Sequence, residues 1–193
     1  MNGTPLGKRR IARRMLLAAL PWVLYASARA QQTSLGSLSD AIRLLGHEKS
    51  AAEQYGVILV TIAKDKPGLY VRGISLYADA KAEFDGLLAE LRYDLKSGQD
   101  PAKSPKFSDA LVEAAKKRIA FTSFVSAEID KLQGARPGLP DVIEVVPELV
   151  KAFTDAGISI WKAFRDARKE NRDAILSELD QLAWRPFSQL AKS

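Results

Sequence analysis

Apolar side chains recur with helical spacing along most of this chain, and this periodicity constrains its fold more than any other feature. The clearest case follows Pro67, where large apolar residues recur every seven positions at Tyr70, Tyr77, Phe84 and Leu91. Residues seven apart lie on one face of an α-helix, so this segment is predicted to be amphipathic and to bury an aromatic stripe. We favour a core role for the stripe over a ligand groove, because such regular spacing is typical of packing surfaces.

A shorter helix is predicted before that one, beginning at Ser37. Ser37 and Asp40 have the spacing of a capping box, and helical periodicity continues to about Ala63. The β-branched run at 57–62 favours a strand locally, but the sequence offers no second strand to pair with it. We therefore expect a helix throughout, with Pro67 in the first turn of the next one.

Two further helices are predicted beyond the aromatic stripe. Ser97–Phe107 is the longest predicted loop, Ser108 is the expected cap of the third helix, and that helix is expected to end near Gln133. The turn at 134–140 separates it from a fourth helix, in which Pro147 is expected to start, bend or split the helix.

The C-terminal region leaves two alternatives open. The segment 165–190 either continues the fourth helix or folds back, and Pro186 is expected to limit it.

Stripes of this kind must pack against one another, and short connections favour antiparallel neighbours. The predicted fold is therefore all-α, an up-and-down antiparallel helical bundle of four to five helices. Residues 37–193 are expected to form this single domain, after a flexible lead-in at 31–36. Since the sequence contains no cysteine, the bundle must be held without disulfides.

A five-residue echo links two of the predicted helices. Gly73-Ile74-Ser75-Leu76-Tyr77 and Gly157-Ile158-Ser159-Ile160-Trp161 share glycine, isoleucine, serine, an aliphatic residue and an aromatic residue in order. Coincidence is favoured over a true repeat, because the match extends no further. If it has meaning, Gly73 and Gly157 are predicted to be helix-crossing points rather than ligand sites.

The first thirty residues have the organisation of an export signal. A basic start at 8–14 precedes the uncharged apolar run Met15–Ala28, and Ala28-Arg29-Ala30 matches the small-x-small motif for signal peptidase. Residues 1–30 are predicted to be cleaved, which places the protein in the periplasm. The general secretory route is favoured, and Arg13-Arg14 leaves the twin-arginine route open.

Cleavage would also change the charge of the protein. Six of the 29 lysines and arginines lie in residues 1–30, which contain no acidic residue, so 23 remain against 23 Asp and Glu. A formally neutral product gives no reason to expect nucleic acid as a partner. The apolar run of about 14 residues, interrupted by Pro21, is shorter than the roughly 20 that a spanning helix needs. No transmembrane span is expected after cleavage.

Catalytic and metal-binding motifs are missing from the sequence. His47 is the only histidine, and no methionine or cysteine follows residue 30, so no pair of haem or soft-metal ligands is available. Acidic pairs such as Glu83 with Asp85 are interleaved with lysine and arginine, as expected for surface ion pairs. We therefore predict no catalytic, metal or cofactor residue.

The sequence favours a non-catalytic exported protein that binds another envelope protein or contributes to envelope assembly. Trp161 and Trp184 are the candidate recognition surface, provided that they are exposed. A homo-oligomer is an open alternative. Two other functions stay open: a carrier of an apolar small molecule between the Tyr70 and Phe153 stripes, and an enzyme that uses carboxylates or His47.

Overall fold

The helices of this protein follow the predicted periodicity closely. The computed structural model describes residues 37–133 and 142–192, except for the side chains of residues 133 and 142–145. Within these ranges the chain is all-helical and has no strand, which confirms the all-α class. A 3-10 helix at Pro101–Lys103 accompanies α1 (Leu38–Ala63), α2 (Pro67–Ser97), α3 (Pro105–Gln133), α4 (Val142–Asp166), α5 (Lys169–Gln181) and α6 (Phe187–Leu190). The predicted cleavage site at Ala28 and Ala30, the lead-in and the turn at 134–140 lie outside the described residues.

The first two helices begin where their sequence predicts. Ser37 Oγ accepts the backbone N–H of Asp40 at 3.2 Å, which caps α1. Helix α1 continues through 57–62, which confirms the helical interpretation of that β-branched run. Pro67 occupies the first position of α2, where a backbone N–H has no helical partner to lose. Gly98 ends α2 in the left-handed conformation, with φ of 73°.

The start of α3 corrects one prediction. Ser104, rather than Ser108, accepts an N–H of the first turn, that of Phe107 at 3.3 Å, and α3 begins at Pro105. Proline is favoured at this first helical position because its φ is already helical. The predicted loop 97–107 is consequently shorter than expected.

Helix α4 is continuous through Pro147, so the expectation that this proline would start or split the helix was wrong. Pro147 is the sixth residue of α4 and is exposed. Only the backbone bond to the carbonyl four residues earlier is lost there, and a helix of 25 residues tolerates that loss.

A break at Ala167 and Arg168 separates α4 from α5, so the C-terminal segment is a new helix and not a continuation of α4. Three carbonyls near the end of α4 accept hydrogen bonds from the Arg172 guanidinium. The acceptors are the oxygens of Phe164 at 3.0 Å, Arg165 at 2.8 Å and Ala167 at 3.0 Å. The Phe164 carbonyl also accepts the backbone N–H of Ala167 at 3.3 Å, and the cation adds a donor at this helix end. Pro186 precedes the single turn of α6.

The two glycines of the sequence echo lie at close helix contacts, as predicted. A Cβ on Gly73 would lie no farther than 2.9 Å from three atoms of the Leu59 side chain in α1. A Cβ on Gly157 would meet the Phe107 ring of α3 at 2.6 Å. Both distances are shorter than a carbon–carbon contact permits, so these positions require glycine.

Candidate protein-binding surface

The interior contains both aliphatic and aromatic side chains, and Trp184 is among the aromatic ones. Its ring packs on Tyr77 at 5.7 Å and stacks on Phe84 at 5.3 Å between centroids, and only 2% of Trp184 is exposed. Phe84 in turn contacts Phe153 of α4 at 6.1 Å. Trp184 therefore lacks the exposure that a recognition residue requires.

Trp161, the other predicted recognition residue, lies on α4 and is partly exposed. The guanidinium of Arg165 covers its ring at 4.9 Å from the centroid. Since Trp184 is buried and Trp161 is partly exposed on α4, the two do not form one exposed surface.

The segment that carries Trp184 is fastened by a buried carboxylate. Glu53 Oε1 accepts the backbone N–H of Arg185 at 2.8 Å, and Glu53 Oε2 accepts Arg185 Nε at 3.1 Å. Lys49 Nζ lies 3.6 Å from the same carboxylate. The Tyr77 hydroxyl donates to the Arg185 carbonyl at 2.8 Å. Burial and the nearby Glu53 charge raise the pKa of Tyr77 above its ordinary range, although Arg185 opposes them.

A second buried pair joins α1 to α3. Arg118 Nη2 lies 2.7 Å from Glu48 Oε2, and both side chains are about nine-tenths buried. Such pairs leave an uncompensated charge when one partner is removed, so they restrict how helices pack. These inward-facing acids hold helices together and offer no reactive group to solvent.

The carboxylates and the histidine that the enzyme alternative would use lie in separate places. His47 is exposed on α1, Asp85 pairs with Lys81, and Asp180 pairs with Arg92. Asp94 is 1% exposed near the end of α2. In residues 37–133 and 142–192, no three His, Cys, Asp or Glu side chains converge as a metal site.

One open groove of about 650 Å³ lies between the first half of α1 and the end of α5. Its walls mix apolar side chains such as Ile42 and Leu182 with charged ones such as Arg43 and Glu178. Arg43 is already paired with Asp40 at 3.1 Å. The groove has no dominant charge or apolar character that would select a ligand.

Helix α2 presents the most distinctive exposed surface. Opposite its aromatic stripe runs a solvent-exposed row without any charged residue, here called the α2 face: Val71, Ser75, Ala78, Ala82, Gly86, Ala89 and Tyr93. Val71 is 67% exposed and Tyr93 is 62% exposed, the highest values among the described large apolar residues. The positions of this row between Val71 and Tyr93 carry only small, uncharged side chains.

The spacing of the α2 face keeps it on one side of the helix. Its steps of four, three and four residues from Val71 to Ala82 are repeated from Ala82 to Tyr93. Eleven residues exceed three turns of an α-helix by only about 20°, so the row drifts slowly around the helix axis. The α2 face is therefore a nearly straight strip of small side chains on one side of the helix.

Charged side chains border the α2 face on both sides. Arg72, Asp79 and Glu90 lie along one edge, and Lys81 and Asp85 lie along the other. Asp79 is near Lys117 of α3 at 3.8 Å. A polar rim around an apolar strip is the usual organisation of a protein-binding surface.

Sequence reasoning missed the α2 face because its middle consists of alanine, glycine and serine, which carry little weight in a search for large apolar residues. The 11-residue recurrence of small side chains between Val71 and Tyr93 was the available sign.

Comparisons with protein families, with curated proteins and with solved structures give no match for this chain. Among the described residues, no helix combines the length and the apolar character needed to cross a membrane.

Proposed function

We propose that this chain is an exported, non-catalytic helical-bundle protein that binds a helix of a protein partner in the bacterial envelope. The observation that carries the proposal is the exposed, uncharged α2 face, bounded by Val71 and Tyr93. Small side chains let a second helix approach closely, and the two larger residues bury apolar area at either end.

An up-and-down order of the long helices supports the bundle part of this proposal. Leu59 of α1 contacts Gly73 of α2, and Gly56 lies near Tyr77, so residue numbers rise on one helix as they fall on the other. Tyr77 likewise contacts Phe121 of α3, whereas Lys117 lies near Asp79. These pairs are those expected of antiparallel neighbours.

The periplasmic location rests on the sequence of residues 1–30. The basic start, the apolar run and Ala28-Arg29-Ala30 together favour export and cleavage. Cell fractionation and N-terminal sequencing would test this part, with Gln31 expected as the first residue of the periplasmic form.

Protein binding is favoured over carriage of an apolar molecule because of the interior packing. The space between the Tyr70 and Phe153 stripes is occupied by Trp184, which contacts Tyr77 and Phe84. A carrier requires a pocket of several hundred Å³ in that position. The exposed α2 face, by contrast, is available without rearrangement.

Substitution at the centre of the α2 face tests the proposal. The chain would be recovered from the periplasm of its native host, and the mass of its complexes would be measured by light scattering after gel filtration. Ala82→Arg places a charge in the middle of the face and should abolish the complex. Ala120→Arg, at an exposed position of α3, is the matched control and should leave the complex intact. A wild-type protein that is wholly monomeric, or a complex indifferent to Ala82→Arg, would overturn the proposal.

A further inference from the structure

We propose that the helix bound by the α2 face is α2 of a second copy of this chain, packed antiparallel about a two-fold axis at Ala82. This inference rests on the proposed function, since it names the partner of the same surface. It follows from the symmetry of the row, the sizes of its side chains and the charges along its edges.

The positions of the α2 face are symmetric about Ala82. On each side of Ala82, three residues of the row lie 4, 7 and 11 positions away, so a two-fold axis superimposes the positions of the row on themselves. A two-fold contact must be self-complementary, because the same patch is used by both copies. Under this operation Ala82 faces its own symmetry mate, and the other pairs are Val71 with Tyr93, Ser75 with Ala89, and Ala78 with Gly86.

Side-chain size favours the antiparallel arrangement. The three central positions, Ala78, Ala82 and Gly86, have little or no side chain and let the two helix axes approach closely. At each end a valine of one copy meets a tyrosine of the other, so the separation is equal at both ends. A parallel pair would instead place both tyrosines at one end and both valines at the other, which would splay the helices apart.

The charges along the edges are complementary in this register. In an antiparallel pair centred on Ala82, residues of the same edge meet when one lies about as far before Ala82 as the other lies after it. Arg72 of one copy therefore lies beside Glu90 of the other. Within the described part of the chain, neither residue makes an ion pair, and the Arg72 guanidinium lies over the Phe124 ring of α3 at 5.2 Å from the centroid. Lys81 and Asp85, which pair within one copy, also meet across the other edge. Each pair occurs twice because of the symmetry.

One like-charge approach accompanies these pairs. Asp79 of one copy lies beside Glu83 of the other, and Lys117 at 3.8 Å from Asp79 offsets the negative charge there. The dipoles of the two α2 helices also oppose each other in this arrangement, which is favourable. The balance of edge charges therefore supports a second copy in the antiparallel direction.

The register gives a direct test, because the chain contains no cysteine of its own. Ala82→Cys should form a disulfide-linked dimer on mild oxidation, since the two residues face each other at the axis. Ala78→Cys alone and Gly86→Cys alone should not, because each is displaced from its own mate by about 12 Å along the helix. A mixture of these two variants should cross-link to each other. Ala120→Cys, exposed on α3, is the control that should stay monomeric.

The outcomes separate this inference from the proposed function. The variants would be produced from the full-length gene, purified from periplasm, and checked for native helix content by circular dichroism. Equal cross-linking at 78, 82 and 86 would mean parallel pairing and would overturn the inference. Absence of cross-linking at 82, together with a complex that contains a different protein and is lost in Ala82→Arg, would also overturn it but leave the proposed function standing. Absence of any complex would overturn both.

Discussion

Glu53 in α1 holds Arg185, 132 residues away along the chain, by two hydrogen bonds, one to the backbone N–H at 2.8 Å and one to Nε at 3.1 Å. The Glu53 side chain is 9% exposed, whereas that of Arg185 is 49% exposed. The carboxylate thus sits inside the protein and draws the C-terminal segment towards α1. Since Trp184 immediately precedes Arg185, the same contact positions a central core residue.

Removal of the Glu53 carboxylate should destabilise the folded protein. Glu53→Ala is expected to lower the free energy of unfolding by about 2–3 kcal/mol, because hydrogen bonds to charged groups are worth about 1.5–3 kcal/mol. Arg185→Ala keeps the backbone N–H and removes only a half-exposed side chain, so it should cost less than about 1 kcal/mol. Urea denaturation measures both.

The matched control for this pair is the exposed contact between Arg43 and Asp40 at 3.1 Å. Arg43→Ala should change the free energy of unfolding by less than about 1 kcal/mol. Equal losses for Glu53→Ala and Arg43→Ala would contradict the importance given to the buried carboxylate.

The buried hydroxyl of Tyr77 predicts that the free energy of unfolding depends on pH in the alkaline range. Burial and Glu53 raise the pKa of its hydroxyl in the folded protein above the unfolded value of about 10. A raised folded pKa means that this stabilisation is fully present below about pH 10 and is lost as pH rises through the folded pKa. Ionisation also removes the donor to the Arg185 carbonyl.

The comparison with Tyr77→Phe isolates this effect. At pH 8 the wild-type protein should be more stable than the variant by about 1 kcal/mol, the usual net value of a hydrogen bond. That difference should shrink between pH 10 and 11 in urea titrations. A difference that is the same at pH 8 and pH 11 would show that Tyr77 ionisation is not coupled to stability.

The close contact at Gly73 predicts an unusual response to alanine. Alanine normally favours a helix over glycine by about 1 kcal/mol, yet a Cβ on Gly73 would collide with the fully buried Leu59. Gly73→Ala should therefore destabilise the protein by about 1–3 kcal/mol, as expected for overpacking. Gly68→Ala, in the first turn of the same helix, has open space around the new methyl group and should be neutral or stabilising. Thermal denaturation of the two variants distinguishes them, and similar melting temperatures would argue against the tight crossing.

The hydrogen bonds of the Arg172 guanidinium predict that this side chain stabilises the C-terminal end of α4. Arg172→Ala should destabilise the protein by about 1 kcal/mol and speed amide exchange at the end of α4, because three carbonyls lose a cationic donor. Arg172→Lys should recover only part of the lost stability, since an ammonium group cannot present several N–H donors in one plane as a guanidinium does. Arg168→Ala, at the exposed position before α5, is the control. Equal exchange rates in Arg172→Ala and Arg168→Ala would exclude the capping role.

Local periodicity predicted much of this fold because each amphipathic stripe is a property of its own segment. Tyr77, Phe84 and Leu91 are all buried, and α1 and α2 begin at the predicted residues. The start of α3 was displaced because Ser104 followed by proline is a better helix start than Ser108.

Contacts between distant segments were beyond the sequence analysis. Nothing near Glu53 indicates that Arg185 will cover it, since the pairing depends on how α1 and the C-terminal segment meet. The packing of the C-terminal segment also buries Trp184, which was a candidate recognition residue provided that it was exposed. The α2 face escaped notice for a different reason, because its small residues are ambiguous until the exposed side of the helix is known.

The two tryptophans predict distinct fluorescence. In residues 31–193, which the predicted cleavage would leave, Trp161 and Trp184 are the only tryptophans. Trp161→Phe retains the buried Trp184, so emission should be blue-shifted and resistant to quenching by iodide. Trp184→Phe retains the partly exposed Trp161, whose emission should be quenched more strongly.

Stability measurements on the same variants complete this prediction. Trp184→Ala should cost about 3–5 kcal/mol, as expected for truncation of a large core aromatic residue. Trp184→Phe should cost less, because the indole Nε1 has no hydrogen-bond partner in the described structure and its loss removes a buried, unpaired donor. Trp161→Phe is the control with little expected change. Strong quenching of Trp184, or equal stability of Trp184→Ala and Trp161→Phe, would contradict its place in the core and return it to the exposed surface as a recognition residue.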